Sequence, residues 1–161
     1  MFSKIYWVHQ FNDTTRLGIM ARPRGDDWLH GEIAHLKKQN VGLLVSLLEK
    51  EEIKELGLSQ QERVCKSNGV DFFNFPIADR DIPKPHDKKD WFISYLTDKL
   101  QNGVSVVIHC RMGIGRSSII AASILIRAGL KPDTIIEEIS KIRGVKVPDT
   151  DAQLQWIKSR K

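Results

Sequence analysis

Val106-Val107-Ile108-His109-Cys110-Arg111-Met112-Gly113-Ile114-Gly115-Arg116-Ser117-Ser118 is the stretch from which the fold of this chain can be read. A short run rich in β-branched residues ends at His109, a compact loop holds one cysteine and one arginine six positions apart, and an apolar run continues from Ile119 at helical spacing. A strand, a loop and a helix N-terminus thus fall within thirteen residues.

A loop of this kind suits a tetrahedral oxyanion. Backbone N–H groups entering a helix are unpaired and carry the positive end of its dipole, so the segment Arg111, Met112, Gly113, Ile114, Gly115, Arg116 can ring a phosphate with donors. The two glycines let the loop fold back on itself. Arg116 offers a planar, two-pronged fork to phosphate oxygens, which a lysine cannot. The same donors favour the thiolate form of Cys110, and a thiolate beneath a bound phosphate is a nucleophile aimed at phosphorus. Ser117 can donate a hydrogen bond to that sulfur and help it leave. No Gly-Lys-[Ser/Thr] closes the loop, so it is not a Walker loop.

His109-Cys110-x-x-Gly113-x-Gly115-Arg116-Ser117 resembles the H-C-x-x-G-x-x-R-[ST] signature of the cysteine-dependent protein tyrosine phosphatases, in their small dual-specificity form. The resemblance implies hydrolysis through a phosphocysteine intermediate on Cys110, with no metal and no cofactor. It implies a supporting role for His109, which holds the loop and tunes the thiolate. Pro76-Ile77-Ala78-Asp79-x-x-x-Pro83 is similar to the P-I-x-D-x-x-x-P segment that supplies the general acid, which makes Asp79 the expected acid and later the base. Asp81 is either a reserve acid or a turn residue that stabilises the loop. Pro148 to Gln153 resembles the family's Q-T-x-x-Q loop. Thr150 and Gln153 match, and Asp149 stands where the first glutamine would position water. In low-molecular-weight tyrosine phosphatases the cysteine precedes the acid; here the acid comes first, as in the dual-specificity type. Arg111 either adds charge at the pocket mouth or points to solvent.

Length and composition agree with this class. A chain of 161 residues, 41% hydrophobic and 28% charged, reads as one globular catalytic domain over 1–161 with a core of its own. Met1-Phe2-Ser3-Lys4 opens no signal peptide, and Ile119 to Ile126 is too short to span a bilayer, so no membrane association is expected. Two cysteines argue against a disulfide scaffold and for a reducing, cytoplasmic setting. A net charge of +5 favours anionic partners, but the basic residues are dispersed, so no nucleic-acid partner is expected. The expected state is a monomer, and the expected partner is a phosphorylated protein or peptide. Phosphotyrosine leads, with phosphoserine and phosphothreonine beside it. A phosphoinositide or an RNA or nucleotide phosphate is the second reading, and a phosphate-binding module without turnover is the third.

Along the chain, strands are expected at Ile5 to Val8, Leu17 to Ala21, Val41 to Leu48, Val70 to Pro76 and from Val104. Helices are expected between them. Asp26 or Asp27 caps the first, which carries Leu29, Ile33 and Leu36. A short charged helix from Glu49 to Leu56 follows, then one opened by a Ser59–Glu62 capping box and holding Cys65, either as packing or as a redox partner. Asp87 caps the helix bearing Trp91 to Leu100. Pro132 opens another with Ile135, Ile136, Ile139 and Ile142 inward, and Asp149 or Thr150 caps the last. Arg22 to Gly25 is either a basic rim of the pocket or a solvated turn. Alternating strands and helices make an α/β fold, a central sheet flanked by helices on both faces, with the phosphate loop at the carboxyl end of a strand.

Overall fold

The computed structural model describes residues 2–85 and 88–160. Five strands, β1 (Tyr6–Gln10), β2 (Arg16–Met20), β3 (Val41–Ser46), β4 (Asp71–Asn74) and β5 (Ser105–His109), form one sheet in the order β1-β2-β5-β3-β4. Only β1 runs antiparallel, paired to β2 through a turn in which the Asn12 side chain accepts from the Thr14 N–H at 2.9 Å. β5 lies at the centre between two parallel neighbours and is buried at every residue, as its unbroken apolar run requires.

The strand period of two divides the core. Val106 and Ile108, with Leu17, Ile19, Leu43 and Val45, face α4 (Lys89–Gln101), α5 (Arg116–Arg127), α6 (Pro132–Arg143) and α7 (Asp151–Lys158). Val107, with Met20 and Leu44, faces α1 (Leu29–Lys38), α2 (Lys50–Glu55) and α3 (Gln61–Ser67). The expected helices on both faces are therefore present. The sheet is mixed, because its edge strand β1 is antiparallel. Helix α5 is buried from Arg116 to Ile126 and fills the middle of its layer.

Several local expectations change. Asp26–Trp28 form a 3-10 turn, and neither aspartate caps α1; instead the Asp26 N–H donates to the Gly57 carbonyl at 2.9 Å, so a neighbouring loop fixes the entry. Helix α3 starts at Gln61 without the Ser59–Glu62 box, because Leu58 is buried and its carbonyl accepts the Gln61 N–H at 3.1 Å. Ile142 is 41% exposed, whereas Ile135 and Ile139 of α6 are buried and Ile136 packs partly against the same core. Cys65 is fully buried in the core on the α1–α3 side, its thiol pushed up to about 12 by burial and the nearby Glu62 charge, which is the packing reading. Thr150, not Asp149, caps α7, in a reciprocal box with Gln153. The expected Asp87 cap lies outside the described residues. No described helix is long and apolar enough to cross a membrane.

Leu44 is fully buried between the sheet and the α1–α3 layer. Leu44→Ala should lower stability by about 2–5 kcal/mol in urea unfolding, through lost transfer energy plus the cavity left behind.

Candidate active site

The loop from Cys110 to Gly115 leaves β5 and enters α5 with Gly115 at the N-cap position. None of the backbone N–H groups from Arg111 to Arg116 meets a protein acceptor among the described residues, so the loop presents a ring of free donors. Gly113 is required here. Its φ is +70°, and a Cβ would come within 2.6 Å of the Met20 backbone carbon, where the loop presses on the end of β2.

Cys110 is 3% exposed, and its Sγ donates to the Ser117 hydroxyl at 3.3 Å. The cleft above it has a volume of about 260 Å³ and is lined by Asp79, Arg80, Cys110, Arg111, Met112, Ile114, Gly115, Arg116 and Asp149. A larger groove of about 690 Å³ between α6 and α7 touches this cleft only through Asp149 and holds neither a cysteine nor an arginine. Arg22 to Gly25 do not line the cleft: Arg24 Nε is bonded to Glu32 at 2.7 Å, and the Arg22 N–H donates to the Arg111 carbonyl, bracing the loop from outside.

Arg116 is the most constrained side chain of the site. It is 2% exposed, and both terminal nitrogens donate to Glu52, Nη1 to Oε1 at 2.7 Å and Nη2 to Oε2 at 2.9 Å. Nη1 also donates to the Ile77 carbonyl at 2.9 Å and Nη2 to Asp79 Oδ1 at 3.1 Å. Burial works against the Arg116 charge, but the Glu52 hydrogen bonds with the Cys110 and Asp79 charges outweigh it and push its pKa up. Burial likewise pushes the Glu52 carboxyl up, and the bonds from Arg116 and from the Glu49 N–H bring it below its ordinary value. Glu52 is aimed by the first turn of α2, where the Glu49 N–H donates to its Oε1 at 3.0 Å in a capping box.

His109 is fully buried, and burial, with the Arg116 and Arg22 charges, pushes its pKa down to about 4, so it is neutral at physiological pH. Nδ1 lies 3.2 Å from the Cys110 carbonyl, an acceptor, which places the ring proton there and leaves Nε2 to accept from Gln61 Nε2 at 2.8 Å. The ring therefore holds the loop backbone. From α6, Arg143 donates to the carbonyls of Gly113 at 3.0 Å and Met112 at 2.9 Å, turning them outward, and its guanidinium lies over the Tyr6 ring.

The two aspartates of the acid loop separate. Asp79 lines the cleft and reaches Arg116, whereas the Asp81 carboxylate accepts from the Ile82 N–H at 2.8 Å and lies off the cleft, as a turn residue does. Gln153 is fully buried; its Oε1 accepts from the Asp149 N–H and its Nε2 donates to the Asp81 carbonyl at 3.0 Å, so it joins the acid loop to α7. The Arg111 guanidinium turns back to Glu55 and Glu52 at the cleft edge.

The sequence matches the family of polymorphic-toxin-system DSP-PTPase phosphatases, Tc-R-P, over residues 18–130, well over half its length. The chain belongs to this dual-specificity-type phosphatase family. It is 30% identical over 104 residues to mouse protein tyrosine phosphatase type IVA 3, across 58% of this chain and 60% of that relative. It is also 30% identical over 129 residues to the PRL-1 phosphatase of Drosophila melanogaster, across 78% of this chain and 68% of the relative. The chain thus spans about three fifths of the length of the mouse type IVA relatives it matches. The fold is that of kinase associated phosphatase, solved with a serine in place of its catalytic cysteine, at TM-score 0.86 and 21% identity over 98% of this chain and 93% of that one. The structure of PTPMT1 in complex with PI(5)P superposes at TM-score 0.73, 23% identical over 94% of this chain and 92% of that chain.

Three residues that brace this site lie outside the expected set: Glu52, Gln61 and Arg143. Glu52→Ala should cost about 3–5 kcal/mol in chemical denaturation, because it strands a buried guanidinium. His109 gives a pH signature. The unfolded imidazole, with its ordinary value near 6.5, takes a proton that the folded one refuses until about pH 4, so stability should fall across that window as pH drops. The total loss is on the order of 3 kcal/mol. Unfolding free energies measured from pH 7 to pH 4 should show this fall in the wild type and lose it in His109→Asn.

Proposed function

We propose that residues 1–161 form one catalytic unit that hydrolyses phosphotyrosine in proteins, with phosphoserine and phosphothreonine as further substrates, acting as a monomer in the cytoplasm without nucleic-acid or membrane partners. The observation that carries this reading is the convergence of Cys110, backed by the buried Ser117, with Arg116 and Asp79 on one small cleft ringed by free N–H groups. Arg116 and the loop N–H groups bind the phosphate oxygens, and the Cys110 thiolate attacks phosphorus. Asp79 gives its proton to the departing phenolic or alcoholic oxygen as the P–O bond breaks. Asp79, now a carboxylate, takes a proton from water as its oxygen attacks the phosphocysteine. Sulfur leaves as thiolate, stabilised by the Ser117 hydroxyl, and inorganic phosphate is released. His109 is bonded on both nitrogens and is kept for support of the loop.

A phosphoinositide is the second reading, supported by the likeness to PTPMT1, whose solved complex holds PI(5)P. The loop side chains Met112 and Ile114 add no positive charge for an inositol ring, and the protein reading leads for that reason.

Phosphate release from a phosphotyrosine peptide, a matched phosphothreonine peptide and a phosphoinositide tests the assignment. Cys110→Ser should fall below about one thousandth of wild-type turnover on the preferred substrate while still binding the phosphopeptide. Asp79→Ala should lose about a hundredfold or more. Near-normal turnover by Cys110→Ser would overturn the mechanism; release from the lipid alone would replace the protein substrate.

A further inference from the structure

We propose that the ion pair between Arg80 and Asp149 is a latch that holds the acid loop in register over the cleft, which makes both of them positioning residues for Asp79. The inference rests on Asp79 being the general acid.

Backbone and side chain point to it independently. Arg80 has φ +62°, a left-handed conformation that costs an L residue and that glycine adopts freely. Arginine gains nothing there from its backbone, so its side chain is where a reason for it lies. That side chain reaches across the cleft mouth, and Nη1 lies 3.1 Å from Asp149 Oδ2. Asp149 is itself a firm anchor: its N–H donates to the buried Gln153 Oε1 at 3.0 Å, and its Cβ lies so near the phosphate loop that a Cβ on Gly115 would meet it at 2.9 Å.

The result is a segment fixed at both ends. Upstream, the Ile77 N–H donates to the Leu47 carbonyl and its carbonyl accepts from Arg116. Downstream, Arg80 is tied to Asp149 by its side chain and Asp81 to Gln153 by its carbonyl, both at the start of α7. Asp79 sits between them with its side chain 58% exposed and Arg116 as its ion-pair partner. Its aim over the cleft therefore depends on the two ends; of the two downstream ties, the Gln153 bond fixes the backbone at Asp81, and the exposed Arg80 ion pair is the one that fixes the residue next to Asp79. An exposed pair contributes little to global stability, so its role belongs to geometry.

The leaving group provides the test, since a poor one needs the acid and a good one needs it less. In Arg80→Gly, kcat/KM for phenyl phosphate should fall about fivefold and that for p-nitrophenyl phosphate less than about twofold, with no loss of thermal stability. Asp149→Asn should repeat this pattern, and Arg80→Lys should retain most of the wild-type rate. In an Asp79→Ala background, Arg80→Gly should cause no further loss. Equal losses on the two esters, or a loss that persists without Asp79, would overturn the latch. If Asp79→Ala itself slows both esters equally, the acid assignment fails and takes the latch with it, a result distinguishable from failure of the latch alone.

Discussion

An arginine in a protein cannot shed its charge, so a buried guanidinium is tolerable only when its donors are met and a carboxylate faces it. Arg116 is in that position at 2% exposure, and the bidentate bond to Glu52 meets the demand. Much of the architecture follows from this pair. Helix α2 has six residues, too few to be stable alone; Ile53 and, just past its end, Leu56 pack against the core on the α1–α3 side, while its capping box turns Glu52 inward. The Ile77 carbonyl completes the shell around Nη1, which places the start of the acid loop beside the arginine.

The other elements around the loop contribute one polar grip each. Gln61 at the start of α3 bonds the His109 ring, which holds the Cys110 carbonyl; Arg143 near the end of α6 draws two loop carbonyls outward; Gln153 in the first turn of α7 secures the acid loop. With its carbonyls held from outside, the loop turns its N–H groups toward the cleft. The helices on both faces of the sheet thus serve the site as well as the core.

This distribution explains what was legible in the sequence. The strand, loop and helix of residues 106–118 are contiguous, so their chemistry could be read from spacing, and Asp79 came with its flanking Pro76 and Pro83. Glu52 lies 64 residues from Arg116 in a helix whose charged pattern is that of any solvated surface. The one local signal was the Glu49–Glu52 capping spacing, which marks a helix start and says nothing of a distant arginine. Gln61 and Arg143 are hidden for the same reason. The failed caps at Asp26 and Ser59 share a cause of another kind: tertiary bonds to Gly57 and burial of Leu58 set those helix starts, overriding the local preference of the side chains. Asp149 and Thr150 are equal cap candidates by residue type, and the reciprocal bond from Gln153 selects Thr150.

A guanidinium has five N–H groups: two on Nη1, two on Nη2 and one on Nε. Glu52 takes one from each terminal nitrogen, Ile77 the second of Nη1 and Asp79 the second of Nη2. The edge turned from Glu52 is that of Nε and Nη2, and a phosphate gripped by two prongs must use it. In the proposed reaction the phosphate oxygen at Nη2 therefore takes the place of the Asp79 carboxylate, while Glu52 and Ile77 keep the guanidinium plane where it was. The arginine does not have to move to bind substrate. What moves is the acid, displaced from the cation toward the leaving oxygen that it must protonate, and a loop held at both ends limits how far it can travel.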